Sequence, residues 1–407
     1  MRGSWRMPLD FSFTEEQELF RRTIKENYAK TISPKIKEMT KARIITPDVH
    51  KVLASEGFFG LLLPKDFGGS EADYVTFTIA VEELMKADTT GIAGIPAWYG
   101  AACARMIAAY GTPALKEEVL PKVVNEGWIT PLHSTEPGCG TDFTAITTNA
   151  KKEGGEYIVN GEKQILSCIP EAMKYGGGFI TSVKTNPELG PKGMSLIYIP
   201  VTSNGMTATN FEGMGIDVGG VRYENTKVPE HCLIGSEGKG RQLTYESFVH
   251  ARVPTAMTLV ATAEKCIELG IDYMKQRRAF GRPLASLEGL QFELAEDHAN
   301  VLAARWLCYR AAWLVDRYHE GKGAFNDAMM AASCAKLAAS ESCIKAISDA
   351  VEWFGGMGTT TDYDVQQALR MARQQAIAEG TRNTQKIVIS LQLLGSEFTP
   401  WRKWEAK

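Results

Sequence analysis

A carboxylate near the end of the chain, Glu379, lies in a setting that suits proton removal. Helical spacing runs from Gln366 to Ile377 and resumes from Lys386 to Leu394, so Gly380 is expected to break the helix in a tight turn. The residues just before the carboxylate, 376–378, are all apolar. Apolar surroundings raise the pKa of a carboxyl group, which lets it accept a proton near neutral pH. The alternative interpretation is a surface turn with a solvated Glu, the usual situation for this residue type.

A turn rich in glycine and hydroxyl groups, at 134–142, offers a second kind of chemistry. Its glycines allow main-chain amides to approach a ligand closely. The hydroxyls of Ser134, Thr135 and Thr141 can hydrogen-bond the polar atoms of a ring or a phosphate. A structural hairpin loop explains the same residues equally well.

An arginine-rich segment at 276–284 places Arg277, Arg278 and Arg282 within six residues. The planar guanidinium group suits a pyrophosphate. A solvated helix terminus is the simpler explanation, because cations are favoured at that end of a helix. Phe280 among the arginines favours a packed, shaped site instead.

A glycine turn at 353–358 follows another helical pattern. Gly355 and Gly356 could hold a phosphate or an adenine, or they could simply end the helix.

Composition excludes several classes of function. The 407 residues are 44% hydrophobic and 23% charged with a net charge of −3, which gives no field favouring nucleic acid or an anionic membrane. No apolar run is long enough to span a bilayer, and no secretory signal leads the chain. Met1-Arg2-Gly3-Ser4 resembles an expression leader. Dinucleotide, P-loop and serine-hydrolase motifs are missing, and so is any recognisable metal site.

Cysteine usage indicates a reducing compartment. The eight cysteines form no C-x-x-C pair, and several lie in apolar helical settings. We therefore interpret them as buried thiols of a cytoplasmic protein.

The elements that position these residues change type twice along the chain. Helical periodicity dominates residues 11–127, beginning at a capping box from Thr14 to Gln17 and including a predicted helix from Tyr74 to Ala87. Short β-branched and aromatic runs separated by turn residues fill 128–237, as in a barrel or sandwich of seven or eight strands, with a hairpin turn at Gly154-Gly155. The predicted strands include separate runs at 128–132, 157–159 and 163–166. Bundle-length helices fill 238–395. The prediction is an α+β chain with an N-terminal helical domain, a central β domain and a C-terminal helical bundle.

Taken in order, the segments resemble the acyl-CoA dehydrogenase family from about Phe13 to about Leu394. The matching motifs are Leu63-Pro64-x-x-Phe67-Gly68-Gly69, Thr135-Glu136-Pro137-Gly138-x-Gly140-x-Asp142, Lys227-Val228-Pro229, Arg277-x-x-Phe280-Gly281, Gly355-Gly356 and Glu379-Gly380-Thr381. The resemblance implies a flavoprotein oxidoreductase that binds FAD and an acyl-CoA thioester, works as a homotetramer and passes electrons to an electron-transferring flavoprotein.

Residue roles follow from the same resemblance. Positions that match flavin contacts are Ser134, Thr135, Gly140, Thr141, Ile165 and Ser167. Arg277 and Phe280 match contacts to the FAD of a neighbouring subunit, Gly355 and Gly356 the phosphate turn, and Thr381 and Asn383 the adenosine end. Thr141, Arg252 and Gly380 match substrate contacts, and Glu379 matches the catalytic base.

Departures from the family pattern concern the acyl pocket. Ile165 stands where the family has Trp, and Glu288 and Glu352 stand where it has Gln. The segment at 168–178 is unusual. These differences suggest a bulky acyl group, such as an aryl-substituted succinyl or an alicyclic one.

The activity implied by the resemblance is α,β-desaturation, with Glu379 removing the α-proton and a β-hydride leaving for flavin N5. Alternatives on the same fold are an acyl-CoA oxidase, a flavin monooxygenase and a catalytically inactive homologue that acts as a binding partner. A helical scaffold without a cofactor would leave the β section and its glycine-rich turn unexplained.

Overall fold

Six helices open the computed structural model, which describes residues 11–399. They are α1 (Glu15–Thr31), α2 (Ile36–Ala42), α3 (Pro47–Ser55), α4 (Tyr74–Ala87), α5 (Gly94–Tyr110) and α6 (Pro113–Glu126). Thr14 caps α1 in the predicted capping box with Gln17. The opening segment at 1–4, interpreted as an expression leader, lies outside the described residues.

A single eight-stranded sheet follows, which confirms a β domain in the central section and the predicted number of strands. Its elements are β1 (Leu132–His133), β2 (Asn149–Glu153), β3 (Glu156–Ser167), α7 (Ile169–Tyr175), β4 (Gly178–Lys184), β5 (Met194–Pro200), β6 (Met206–Phe211), β7 (Val218–Pro229) and β8 (Leu233–Ile234). The strand order is β6-β7-β3-β2-β4-β5-β8, and β1 pairs with β4 in parallel. Gly154 and Gly155 form the β2–β3 hairpin turn with φ of 61° and 85°.

Three details of the predicted β section are wrong. The expected strand at 128–132 is reduced to its last residue, and Ile129 makes only an isolated bridge to Gly177. The runs at 157–159 and 163–166 belong to one strand, because Gly161 carries a register shift that does not end the pairing. The helix α7 was not predicted; its start is favoured by Pro170 in the first turn.

Five helices and a small hairpin complete the part of the chain that the structure describes. They are α8 (Gly240–Gln276), β9 (Arg278–Ala279), β10 (Arg282–Pro283), α9 (Glu288–His319), α10 (Phe325–Trp353), α11 (Val365–Gln375) and α12 (Arg382–Leu394). The central helix α8 contacts α4 and α5 of the N-terminal helices and α9, α10 and α11 of the C-terminal helices. None of the helices in the described range combines the length and apolar character needed to cross a bilayer.

The helix α8 continues through an internal proline. Pro254 has no N–H group to donate to the carbonyl of His250, one turn earlier. The hydroxyl of Tyr74 on α4 donates to that carbonyl instead. This contact from the N-terminal helices holds the turn of α8 that carries Arg252.

The cysteines agree with the thiol interpretation. None of the eight forms a disulfide; six are buried, while Cys139 and Cys334 are partly exposed.

Candidate active site

The turn between α11 and α12 presents Glu379 as predicted. Glu379 has φ of 55° and Gly380 has φ of 92°, so two successive residues adopt left-handed conformations that reverse the chain. The side chain of Thr381 then caps α12 by accepting from the N–H of Thr384. A left-handed conformation is unfavourable for a glutamate, so the surrounding structure must hold it in place.

Three buried side chains hold the carbonyl groups of this turn. Lys336 Nζ on α10 donates to the carbonyls of Ala376 and Gly380 at 3.1 and 3.3 Å. Arg252 Nε on α8 donates to the carbonyl of Glu379 at 3.3 Å. Gln385 Nε2 donates to the carbonyls of Glu379 and Gly380 at 3.2 and 2.8 Å. The turn is therefore fixed from three helices at once.

The pKa of the Glu379 carboxyl group is subject to opposing effects. Burial raises its pKa, whereas the charges of Arg252 and Lys336 and the nearby hydroxyl of Tyr99 act in the other direction. Oε2 of Glu379 is buried without a hydrogen-bond partner among the described residues. Unpaired buried carboxylate oxygens are costly, so this atom is suited to receive a proton from a ligand.

Glu379 lines a cleft of about 290 Å³ between the sheet and the C-terminal helices. Most of the residues matched to flavin or substrate line the same cleft. They are Ser134, Thr135, Gly140, Thr141, Ile165, Ser167, Arg252, Gly380 and Thr381. The structure thus brings together residues that are up to 247 positions apart in the chain, from Ser134 to Thr381.

A buried ion pair fixes the glycine-rich turn at the edge of this cleft. Lys163 Nζ on β3 lies 2.8 Å from Glu136 Oε1, and both side chains are almost completely excluded from solvent. Glu136 also accepts from the N–H groups of Thr147 and Thr148 at 2.7 and 3.0 Å. These contacts position the hydroxyls of the neighbouring Ser134 and Thr135.

Ile165 enters the cleft from a β-bulge. The register of β3 against β7 shifts between Gln164 and Leu166, so Ile165 has no partner across the ladder. Its φ is 55° and its side chain is 62% exposed. A left-handed β-branched residue is a clear outlier, and such strain is concentrated at functional sites.

A second cleft, of about 580 Å³, contains the other predicted cofactor contacts. Arg277, Gly355 and Gly356 line it together with Trp353 and Phe354. Phe280 lies outside it and is 93% exposed at the β9–β10 hairpin. The single chain does not pack around this residue, and its match to a contact with a neighbouring subunit stays a prediction. Asn383 is exposed on the first turn of α12 and does not line the first cleft.

The first cleft fits the flavin of FAD. A flavin ring system presents carbonyl oxygens and ring nitrogens that need hydrogen-bond donors, and the cleft offers the hydroxyls of Ser134, Thr135, Ser167 and Thr381. Ser134 Oγ is buried without a partner among the described residues, so it is free to bond a ligand. Apolar walls such as Ile165 suit the rest of the ring.

Several residues of the site escaped sequence reasoning. The cleft is also lined by Tyr99, Leu132, Phe143, Leu166, Phe248, Ile377, Ala378 and Thr384. Local patterns give no signal for Tyr99 or Phe248, whose roles depend on the tertiary fold. Lys336 had a usable signal, because it is the only charged residue between Ala328 and Ser340 in an alanine-rich helix.

A carboxylate cluster that the sequence did not reveal lies elsewhere, on α9 and α10. Glu293, Asp297 and Asp349 approach one another closely enough to bind a cation. The ammonium group of Lys345 contacts the two aspartates at 2.8 and 2.6 Å, so a cationic side chain already neutralises them.

Comparison with known proteins gives a consistent result over the whole length. The profiles of the N-terminal, middle and C-terminal domains of acyl-CoA dehydrogenase match residues 14–127, 132–225 and 238–394. An acyl-CoA dehydrogenase of Bacillus subtilis is 31% identical, over 94% of this chain and 99% of its own. A 3-(aryl)acrylate reductase of Clostridium sporogenes has the same identity and coverage. A chain from the structure of the electron transferring flavoprotein of Acidaminococcus fermentans superposes with a TM-score of 0.88 at 30% identity, covering 95% of this chain and 100% of its own.

Proposed function

Because the chain belongs to the acyl-CoA dehydrogenase family, a family of FAD-dependent oxidoreductases, we propose that it desaturates an acyl-CoA thioester with Glu379 as the catalytic base. One observation carries the assignment. Glu379 presents a buried carboxylate oxygen without a hydrogen-bond partner among the described residues, and the residue lines the cleft. Burial raises the pKa of this group, as the reaction requires.

The residues of the cleft divide the chemistry between them. Glu379 removes the α-proton, and exclusion of water by the walls of Tyr99 and Phe248 keeps its carboxylate basic. FAD, when bound, supplies the acceptor for the β-hydride. Arg252 holds the main chain of Glu379, so the base keeps its place as the α-proton is transferred.

Cofactor and substrate contacts are proposed by position. Ser134, Thr135, Gly140, Thr141, Ile165 and Ser167 would hold the flavin, and Thr381 and Asn383 its adenosine end. Thr141, Arg252 and Gly380 would contact the thioester substrate. All of these except Asn383 line the first cleft, which supports the assignment.

The test of the base is Glu379→Gln, compared with Glu296→Gln at an exposed position on α9. Glutamine keeps the size of the side chain but has no basic carboxylate. We expect both variants to bind FAD and acyl-CoA. Only Glu379→Gln should lose α-proton exchange and the bleaching of the flavin that follows its reduction. Proton exchange at the wild-type rate in Glu379→Gln would refute the assignment.

We also propose a bulky acyl group, such as an aryl-substituted succinyl or alicyclic one. Aromatic walls from Tyr99, Phe143 and Phe248 line the cleft, and one similar protein is named for reduction of arylacrylates. Anaerobic mixing with straight-chain, alicyclic and aryl acyl-CoA thioesters tests this, with bleaching of the flavin as readout. Preferential bleaching by the straight-chain thioesters would refute it.

The proposed partners are further copies of the chain and an electron-transferring flavoprotein. Phe280, exposed at the tip of a hairpin beside Arg277, is suited to contact the cofactor of a neighbouring subunit in a homotetramer. Similarity to a chain from an electron transferring flavoprotein structure supports the acceptor. Phe280→Asp tests the first point: dissociation of the tetramer or loss of bound FAD is expected, and unchanged sedimentation and flavin content would refute it.

For the domains we propose the boundaries 11–127, 128–237 and 238–395. For the compartment we propose the cytoplasm, supported by the buried thiols.

A further inference from the structure

Lys336 is a lysine inside the C-terminal helical core, with no exposed surface. Full burial of a lysine is rare and costs free energy, because the ammonium group loses its hydration. Both of its hydrogen bonds go to main-chain carbonyls, those of Ala376 and Gly380. The side chain therefore donates hydrogen bonds to the turn that carries Glu379.

The two carbonyls bracket the catalytic carboxylate in sequence. One lies three residues before Glu379 and the other lies one residue after it. Glu379 adopts a left-handed conformation, which persists only where the surroundings enforce it. A single ammonium group bonded on both sides of the residue is a direct way to enforce it.

The charge of Lys336 also affects the pKa of Glu379. It acts on the Glu379 carboxyl group, as does the charge of Arg252 from α8. Other titratable groups that face Glu379 are Tyr99, Cys103 and Cys168. Burial holds these three groups in their neutral forms, so the two cations are the charges that favour an ionised Glu379.

We propose that Lys336 is a positioning residue that holds the Glu379 turn in its active conformation and, through its charge, sets the pH at which Glu379 becomes a base. The proposal rests on the proposed function, in which Glu379 removes the substrate proton. Its two parts are separable, because hydrogen bonds fix the turn while the charge acts on the carboxylate.

The environment of Lys336 limits the pH range over which its ammonium group is charged. Burial lowers its pKa to about 7, while Glu379 raises that pKa and Arg252 lowers it further. Gln385, the other side chain that bonds the Gly380 carbonyl, is neutral and can supply hydrogen bonds without charge. The pair Lys336 and Gln385 therefore offers a matched comparison.

The experiment uses three variants and one control in the FAD-loaded protein. Lys336→Met removes donors and charge, Lys336→Gln keeps a donor without charge, and Gln385→Met removes only neutral donors. Lys386→Met is the control, at an exposed ion pair on α12. The pH midpoint of Glu379 is read from the infrared band of its protonated carboxyl group, identified as the band that Glu379→Gln removes.

We expect the midpoint of Glu379 to move to higher pH in both Lys336 variants and to stay in place in Gln385→Met and Lys386→Met. The maximal rate of α-proton exchange should fall about 10–100-fold in Lys336→Met and in Gln385→Met, because the base is misplaced. Lys336→Gln should recover most of that rate without recovering the midpoint. This split between rate and midpoint is something a purely structural residue would not produce.

An unchanged midpoint in both Lys336 variants overturns the charge effect, and a wild-type rate in Lys336→Met overturns the positioning effect. If Lys336→Met does not fold, Lys336→Gln still tests the charge and Gln385→Met the hydrogen bonds. Failure of the proposed function is distinguishable, because it would show as retained proton exchange in Glu379→Gln itself.

Discussion

Replacing Lys163 by methionine should loosen the glycine-rich turn beside the cleft far more than an ordinary surface change. The methionine keeps most of the apolar stem but removes the ammonium group that lies 2.8 Å from Glu136. Glu136 would then be a buried carboxylate without a counter-charge, although it keeps the bonds from Thr147 and Thr148. Breaking one side of a buried pair typically costs about 3–5 kcal/mol.

Hydrogen exchange measured by mass spectrometry provides the assay, since the N–H groups of Thr147 and Thr148 bond the affected carboxylate directly. A loss of about 3–5 kcal/mol corresponds to roughly 10²–10⁴-fold faster exchange through local opening. Lys151→Met, at the exposed pair with Glu153 on β2, is the control and should change exchange about fivefold at most, since such pairs contribute under about 1 kcal/mol.

The double variant Lys163→Met/Glu136→Gln separates charge from packing. Removing the unpaired charge should bring exchange at 147–148 back toward that of the wild type. The reasoning is refuted if Lys163→Met exchanges like Lys151→Met, or if the double variant exchanges faster than the single one.

Two further changes test strain and burial around the cleft. Ile165→Asn should raise the free energy of local opening in β3 by about 1 kcal/mol and so slow hydrogen exchange there. The reason is that Asn tolerates a left-handed conformation, while the mostly exposed Ile165 loses little burial on replacement. Faster exchange in β3 would contradict this. Glu171→Gln on α7 should stabilise the protein above pH 7 by up to about 3 kcal/mol and have no effect at pH 4. Burial raises the pKa of Glu171 to about 7 in the folded protein. At pH values between the pKa of the unfolded chain and 7, the folded wild type binds more protons than the unfolded chain, so its stability falls as pH rises. Thermal unfolding measured as a function of pH checks this. An equal gain in stability at pH 4 and above pH 7 would exclude ionisation of Glu171 as the cause.

Local chemistry made the helical parts predictable. Tyr74–Ala87 was bounded correctly by its apolar spacing, and the turn at Gly380 by its glycine between two periodic segments. The direction of the pKa shift of Glu379 was predicted, and burial is its largest cause. The apolar neighbours in sequence do not supply that burial alone, because Ile377 is 54% exposed.

Features that depend on distant partners were not predictable in this way. The bulge at Ile165 arises from the pairing of β3 with β7, some 50 residues later, so no local pattern marks it. Phe280 was expected in a packed site because it stands among arginines, yet it is 93% exposed at its hairpin in the single chain. The donors to the Glu379 turn come from α8, α10 and α12, and only the folded chain shows that they converge.

The placement of α8 also bears on how the chain is made. The helices α4 and α5 pack on α8, but α8 ends at Gln276, about 150 residues after α6 ends at Glu126. At about 5–20 residues per second on the ribosome, this interval lasts roughly 8–30 s. During that time the faces of the N-terminal helices that pack on α8, including Tyr74, which bonds the His250 carbonyl, lack their partner and are exposed to aggregation or to chaperones. The β section is synthesised within this interval, so it can fold before the two helical sections meet.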